Sequence, residues 1–301
     1  MLLLVWSDLL SHAPQQNPTV DPSAYAPLKL LQQSPSKPLL GEARVMLTRE
    51  ARQVFYDLGP TNLFDSYVGR RLGLDRNLNL MENIPSTDGF YAIYLAEQIE
   101  IVHQLYRTDD RARFPLGDFL GVRWVNARSN VLEWEVRSNY MSLITGGQQP
   151  MFADPHTTQA AVFDSNFAPR DVVYLSPAIK HMVTATNRTQ PEISREEVSA
   201  HRIALTVRAR EPSMLVVAQA YYHPWRAYVD GKEVPLWKAN YAFQALEVPA
   251  GHRRVELVYQ DGKFLCGPRV SAITLLACLA AAHVSRRRPW RRSDPEGFIL
   301  W

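Results

Sequence analysis

The second half of the chain alternates apolar and polar positions with the period of β-strands. In RIALTVRAR (202–210), Ile203, Leu205, Val207 and Ala209 alternate with Arg202, Thr206, Arg208 and Arg210, which predicts a strand with one buried face. SMLVVAQAYY follows as a more continuously apolar strand. AYV-DG-KEV (227–234) sets Asp-Gly between two strand-like runs, the pattern of a hairpin closed by a type I′ turn. PAGH (249–252) predicts another turn, leading into RVELVY, where Val255, Leu257 and Tyr259 share a face. Short strands punctuated by turns predict an all-β sandwich or jelly roll over 168–263.

The first half mixes periods. Ser11 to Lys37 carries Pro14, Pro18, Pro22, Pro27 and Pro35, which rule out a long helix and predict an extended linker. ARVML (43–47) and LNLM (78–81) read as strands. STDGFYAIYLAEQIEIVHQLYR keeps Tyr91, Leu95, Ile99, Val102 and Tyr106 at helical spacing, so the pattern predicts a helix capped by Thr87 or Asp88 and ending near Arg107. LGDFL (116–120) predicts a short helix with Gly121 as its C-terminal cap, before the strand VRWV. VLEWEV (131–136) alternates as a half-buried strand. These elements predict a small α/β unit over 41–167, behind an apolar stub and linker over 1–40. The fold class is therefore mixed α+β.

Between Arg269 and Arg286 no residue is formally charged. Extending the stretch back to Phe264 gives about 22 residues, long enough to cross a hydrocarbon core of about 30 Å. Pro268 suits a position near the helix start, and Arg269 can snorkel to the interface. The expected span is 264–285, with a basic tail over 286–301 carrying Arg286–Arg288, Arg291 and Arg292. By the positive-inside rule that tail faces the cytoplasm and both folded parts lie outside. The competing reading is a buried C-terminal helix. The start, MLLLVWSD, lacks a basic n-region and an h-region of about 7–15 residues, which makes it a poor signal peptide; two readings stand, the last turns of a membrane helix that begins earlier, or a floppy apolar start.

Composition changes this picture little. The 301 residues are 46% hydrophobic and 21% charged, with a net charge of +3, which is ordinary for a globular chain and argues against a nucleic-acid surface. Cys266 and Cys278 stand about 18 Å apart if they share one helix, too far for a disulfide. No zinc motif, GxSxG, P-loop or GxGxxG occurs, so no catalytic residue, metal or cofactor is expected. Glu196–Glu197 and Asp109–Asp110 read as solvated pairs, Gly146-Gly147 as a turn, and Asn187-Arg188-Thr189 as a glycosylation sequon.

Tyr221, Tyr222, Trp225, Tyr228, Trp237 and Tyr241 cluster within one short stretch. Two readings stand: flat rings that stack on sugars, or aromatics that fill a sheet core. Asp88-Gly89-Phe90-Tyr91 at the expected helix start could offer free backbone N–H groups to a ligand; the simpler reading is a capped turn.

The stretch YYHPWRAYVDGKEVPLWKANYAF resembles the C-terminal region of the bacterial YfhO family. The likeness rests on Tyr222, Pro224, Trp225, Asp230, Gly231, Lys232, Ala239, Asn240, Ala250 and Gly251 in that order. NPTV (17–20), Asn79, Gly89 and Tyr91, FLGVRWV (119–125) and FAPRDVVYL (167–175) are similar to further parts of the same family tail, although Phe90 intervenes between Gly89 and Tyr91. Such proteins are many-helix membrane proteins similar to GT-C-type glycosyltransferases, which use lipid-linked sugars outside the membrane. The resemblance implies a tail without its catalytic membrane module, explained by a split gene with an upstream multi-helix partner or by a truncated product. It implies binding or positioning of a glycan or polyprenyl-linked sugar, with contacts expected at Asp88, Tyr91, Trp225, Lys238 and Asn240. The alternative is a structural module that packs on a partner's membrane helices. Membrane lipid is the other expected partner.

Overall fold

The computed structural model describes residues 2–12, 19–57, 62–107 and 115–287. Pro14, Pro18, the Asp109–Asp110 pair and the basic tail from 288 onward lie outside these residues. The chain is mixed α+β: a helix-rich N-terminal part, three sheets, and one long apolar helix at the end.

The strands form two large sheets with the expected chemistry. β1 (Arg44–Met46), β2 (Val122–Asn126) and β3 (Trp134–Val136) make a small sheet. β4 (Ile144–Gly146), β5 (Gln149–Phe152), β6 (Val172–Leu175), β9 (Ser213–Ala220), β12 (Trp237–Ala239) and β13 (Phe243–Val248) form a six-stranded sheet in the order β4-β9-β13-β12-β6-β5. This sheet already takes strands from residue 144 onward. β7 (Glu192–Val198), β8 (Arg202–Ala209), β10 (Trp225–Val229), β11 (Lys232–Val234) and β14 (Gly251–Tyr259) form an antiparallel five-stranded sheet in the order β11-β10-β14-β8-β7.

Burial distinguishes the two sheets. In β14, Val255 and Leu257 point into the core while their neighbours stay partly or fully exposed, as one-sided packing requires. β9 instead buries six consecutive residues, Ser213 to Ala218, because both its faces are covered. Ile203, Leu205, Val255 and Leu257 of the outer sheet share one core with Val216 and Leu246 of the six-stranded sheet. The same core continues into α5 (Ala96–Arg107), α6 (Pro115–Phe119) and α7 (Pro155–Phe163) through Ile101, Leu105, Phe119 and Val162. Phe119 meets Phe243 of β13 edge to face at 4.9 Å. The six-stranded sheet is thus the middle layer.

The Asp-Gly hairpin forms as expected. Val229 pairs with Lys232 across Asp230 (φ 50) and Gly231 (φ 76), the two left-handed residues of a type I′ turn. A Cβ added at Gly231 meets nothing within 4 Å, so Gly231→Ala isolates the backbone cost. We expect a loss of about 1 kcal/mol in a denaturant melt, with an unchanged m-value; a neutral result would mean that this turn is not the one adopted.

Several expectations are corrected. LNLM forms not a strand but a 3₁₀ helix, Leu78–Glu82, ending at Asn83 with φ 51; its backbone turns so that Asn79 and Glu82 are buried while Leu80 is exposed. The helix after Ser86 starts at Ala96 rather than near Asp88. Thr87 donates its backbone N–H to the Val45 carbonyl at 3.0 Å, and Ser86 bridges to Val45, so this segment extends the edge of the small sheet before the helix can start. It still ends at Arg107. VLEWEV is strand only over its last three residues, because Asn130 draws Leu132 into a turn by accepting its N–H at 3.0 Å. The described part of the Pro-rich stretch, from residue 19 on, contains no long helix and is folded: a 3₁₀ turn, Pro22–Tyr25, and α2 (Lys29–Gln32) bury Ala24 and Leu31.

α1 (Leu2–His12) and α8 (Gly262–Arg287) differ from the rest. Leu3, Trp6 and Leu9 are exposed on α1, and Val270, Ile273, Leu275, Leu276 and Leu279 are exposed on α8. Cys266–His283 has a mean hydropathy of 1.3, is unburied, and is long and apolar enough to cross a membrane. The reading of a buried C-terminal helix fails here, since no side of it is covered. The helix starts before Phe264, so Pro268 sits inside it rather than at its first turn. Cys266 and Cys278 are free and exposed. Only Gln260 and Asp261 separate β14 from α8, which ties the outer sheet closely to this helix.

Candidate functional site

A cleft of about 520 Å³ lies where the small sheet, the 83–95 loop and α5 meet the end of β9. Arg44, Asp88, Tyr91, Tyr94, Gln98 and Gln219 are among its lining residues. Its rim carries apolar side chains held outward: Leu80 is 69% exposed, Tyr91 56% and Ile93 89%.

Polar contacts fix the 83–95 loop in this unusual, apolar-out arrangement. The Asn77 side chain accepts from the Phe90 N–H and donates to the Phe90 carbonyl, both at 2.8 Å. The Tyr94 hydroxyl accepts from the Tyr91 N–H at 3.4 Å and donates to the Gly89 carbonyl at 3.2 Å. The Tyr91 and Tyr94 rings stand edge to face at 5.6 Å. A Cβ at Gly89 would lie 2.4 Å from the Tyr91 hydroxyl, so a side chain there would push the exposed Tyr91 ring aside. Burial, followed by the nearby Asp88 charge, pushes the Tyr91 hydroxyl above its ordinary pKa, so it stays protonated and can donate.

The five residues expected to touch a ligand separate into three groups. Asp88 and Tyr91 line the cleft. Asp88 does not cap a helix; its carboxylate pairs with Arg52 at 3.0 Å and accepts from the Gly89 N–H at 2.8 Å. The N–H groups of Gly89, Phe90 and Tyr91 are all engaged, so they form no open anion nest. Lys238 lines a smaller neighbouring cleft of about 230 Å³ with Tyr221, Tyr222 and His223. It is bonded to Glu97 of α5 at 2.7 Å, and that bond holds the Glu97 carboxyl below the usual carboxylate range.

Trp225 and Asn240 are corrected to structural roles. Trp225 is only 7% exposed and packs edge to face on Tyr259 at 5.6 Å, so neither face of its indole is free to stack on a sugar. The other aromatics of that stretch are half-buried: Tyr222, Trp237 and Tyr241 pack against the core, while Tyr221 and Tyr222 also line the Lys238 cleft. Asn240 is fully buried with φ 44. Its side-chain oxygen and its backbone N–H bond the Tyr174 backbone, each at 2.9 Å. An asparagine suits this corner because it tolerates left-handed backbone and satisfies a neighbouring strand.

Sequence reasoning missed Arg44 and Gln98. Arg44 sits between apolar neighbours in ARVML and reads as the outward position of a strand. It is half-buried instead, donating to the carbonyls of Leu120 and Ala218 at 2.8 Å each. The Gln98 side-chain oxygen is buried without a partner. An arginine at the start of a short apolar strand was the available signal. No group of three or more histidine, cysteine or acidic side chains poised to hold a metal occurs among the described residues.

No curated protein and no solved structure matches the chain. Residues 175–271, from the end of β6 through the outer-sheet strands and into α8, match the family described as bacterial membrane protein YfhO, the family that this C-terminal region resembles in its ordered motifs.

Proposed function

We propose that this chain is a membrane-anchored, extracytoplasmic, substrate-facing region of a YfhO-like, GT-C-type glycosyl transfer system, and that it binds or positions a glycan or lipid-linked sugar. The observation that carries this reading is the cleft of about 520 Å³, with Tyr91 exposed at its mouth and polar groups deeper in. An apolar concavity with a few convergent polar groups is the form that small-ligand sites take. An aromatic rim beside an amphipathic cleft suits a sugar joined to a hydrocarbon chain. The anchor is α8, and the arginines after it favour a cytoplasmic tail with the folded part outside.

The test is binding of a polyprenyl-phosphate-linked hexose to the full chain in nanodiscs, followed by native mass spectrometry. Tyr91→Ala removes an exposed ring without opening the core and should weaken binding about tenfold, or ~1.4 kcal/mol. No saturable binding to the unmodified protein would sink the reading.

The exposure of Leu80, Phe90 and Ile93 favours a second reading, in which this rim packs on a partner's membrane helices. That role predicts cross-links from position 93 to a co-expressed multi-helix protein, with no dependence on added sugar lipid.

A further inference from the structure

One end of the outer sheet carries the root of α8. β14 runs toward that helix, so Tyr259 marks this end. Across the sheet Tyr259 pairs with Trp225 of β10, Val258 with Arg202 of β8, and Ile203 of β8 with Val198 of β7. The Tyr259 N–H bonds the His201 carbonyl and the Gln260 N–H the Pro224 carbonyl, each at 2.9 Å. The 199–201 and 221–224 loops therefore flank the start of α8.

The cleft with the apolar rim lies at the same end. Gln219 and Ala220 line it where β9 runs into the 221–224 loop. Leu95 and Gln98 are shared with the smaller cleft, whose other wall is Tyr221, Tyr222 and His223. The Tyr222 ring stacks on Tyr259 at 6.4 Å. On another side Gly41 lines the cleft beside Leu40, and a Cβ there would lie 2.8 Å from Val198 Cγ2. Leu40, Leu80, Tyr91 and Ile93, all exposed, thus border a cleft at the end of the fold from which α8 leaves.

That end is held close to the bilayer. Gln260 and Asp261 span at most about 7 Å, and from Gly262 to the apolar window at Cys266 is about 6 Å of helix. The sheet end therefore stands within about 13 Å of the hydrocarbon, where its loops and rim reach a headgroup layer about 5–8 Å deep. Charge does not oppose this contact. Asp88 is paired with Arg52 at 3.0 Å, Glu42 with Arg195 at 3.4 Å and Glu97 with Lys238 at 2.7 Å. Tyrosine beside aliphatic side chains is also the composition that the interfacial layer favours.

We infer that the rim formed by Leu40, Leu80, Tyr91 and Ile93 is a second membrane contact, seated in the headgroup layer of the leaflet that α8 enters first, and that its partner is the lipid surface itself. Continuity with α8 favours lipid over a partner's helices, and an apolar rim in water is the cost that the seat removes. The inference rests on α8 being the anchor and requires no ligand in the cleft.

The experiment places single nitroxide labels on the full chain in nanodiscs of phosphatidylethanolamine and phosphatidylglycerol, with Cys266→Ala and Cys278→Ala removing the native thiols. The labels go at Leu40→Cys, Ile93→Cys and Glu211→Cys. Position 211 follows the far end of β8, an eight-residue strand about 26 Å long, and stands clear of the membrane. Ile93 is 89% exposed, so only material outside the chain can shield it. Power-saturation EPR reads access to oxygen, which concentrates in lipid, and to a water-soluble nickel chelate, which stays out. Labels at 40 and 93 should lose nickel access several-fold relative to 211 and gain oxygen access. Equal nickel access at all three positions of an incorporated chain overturns the seat while leaving α8 the anchor. Failure of the chain to incorporate overturns the anchor and the inference with it. Loss of access to both reagents at 93 means that a second copy of the chain covers the rim, and shielding that appears only with a co-expressed multi-helix protein assigns the rim to that partner; either overturns the lipid seat.

Discussion

Replacing Glu82 with Gln is expected to lower the unfolding free energy by about 3–5 kcal/mol, the usual cost of removing one partner of a buried ion pair. Arg71 of α4 (Leu63–Leu72) is 1% exposed and Glu82 is fully buried, and the two are joined directly. Arg71 also donates to the carbonyls of Ala24 and Ala26, and its Nε has no partner. Glu82 in turn accepts from Gln32 Nε2 at 2.8 Å, and its carbonyl accepts from Lys37 Nζ at 2.8 Å. The pair therefore latches residues 22–37 onto the helical part. Without the carboxylate charge, a guanidinium is left in the interior with only neutral acceptors. Differential scanning calorimetry should show the loss as a fall of about 6–20 °C in Tm. Limited proteolysis should then open the 26–40 stretch first. The double variant Arg71→Met with Glu82→Leu should recover much of the loss, because an apolar pair of similar volume carries no desolvation penalty. A loss below about 1 kcal/mol for Glu82→Gln would show that water already reaches the pair.

This latch was not legible in the sequence, and the reason is physical. Arg71 and Glu82 lie in polar-looking stretches, and their burial depends on how a proline-rich segment folds back over them. That is tertiary information. The β-strands were legible where one local rule sufficed. β14 shows period-2 burial at Val255 and Leu257, β8 follows it apart from the buried Ala204, and Asp230-Gly231 can form few other turns. LNLM failed because four residues with apolar alternation fit a 3₁₀ turn as well as a strand; Asn83, able to take φ 51, closed the turn. The helix start failed because the stretch from Tyr91 to Leu95 fits helical spacing, yet Ser86 and Thr87 were already committed to the edge of β1. Part of the candidate site was legible: Asp88 and Tyr91 do reach the cleft. Trp225 and Asn240 did not, since aromatic and amide residues in a strand-rich segment serve the core as readily as a ligand. Arg44 was hidden by the opposite error, because a charged residue in a strand reads as solvent-facing.

Removing α8 is expected to release the chain from membranes. An isolated soluble domain could not leave so many apolar side chains uncovered on every side of one helix without aggregating; a bilayer removes that cost. The span is marginal, with a mean hydropathy of 1.3 over Cys266–His283, which makes it sensitive to a single charge. Leu275 lies near the middle of this window, and an arginine there costs about 2.5–3.5 kcal/mol on insertion scales. Leu275→Arg should thus shift the partition between membrane and supernatant by about a hundredfold. Truncation before Gly262 should shift it further still, because it removes the whole apolar stretch Cys266–His283. Alkaline carbonate extraction followed by ultracentrifugation reads both changes, and a folded control comes from an unchanged melt of the sheet domain. Leu275→Ala, which removes apolar area but adds no charge, should remain in the pellet. If the chain truncated before Gly262 still sediments with carbonate-washed membranes, α8 is not the anchor, and the exposed rim around Leu80 and Ile93 becomes the surface to test next.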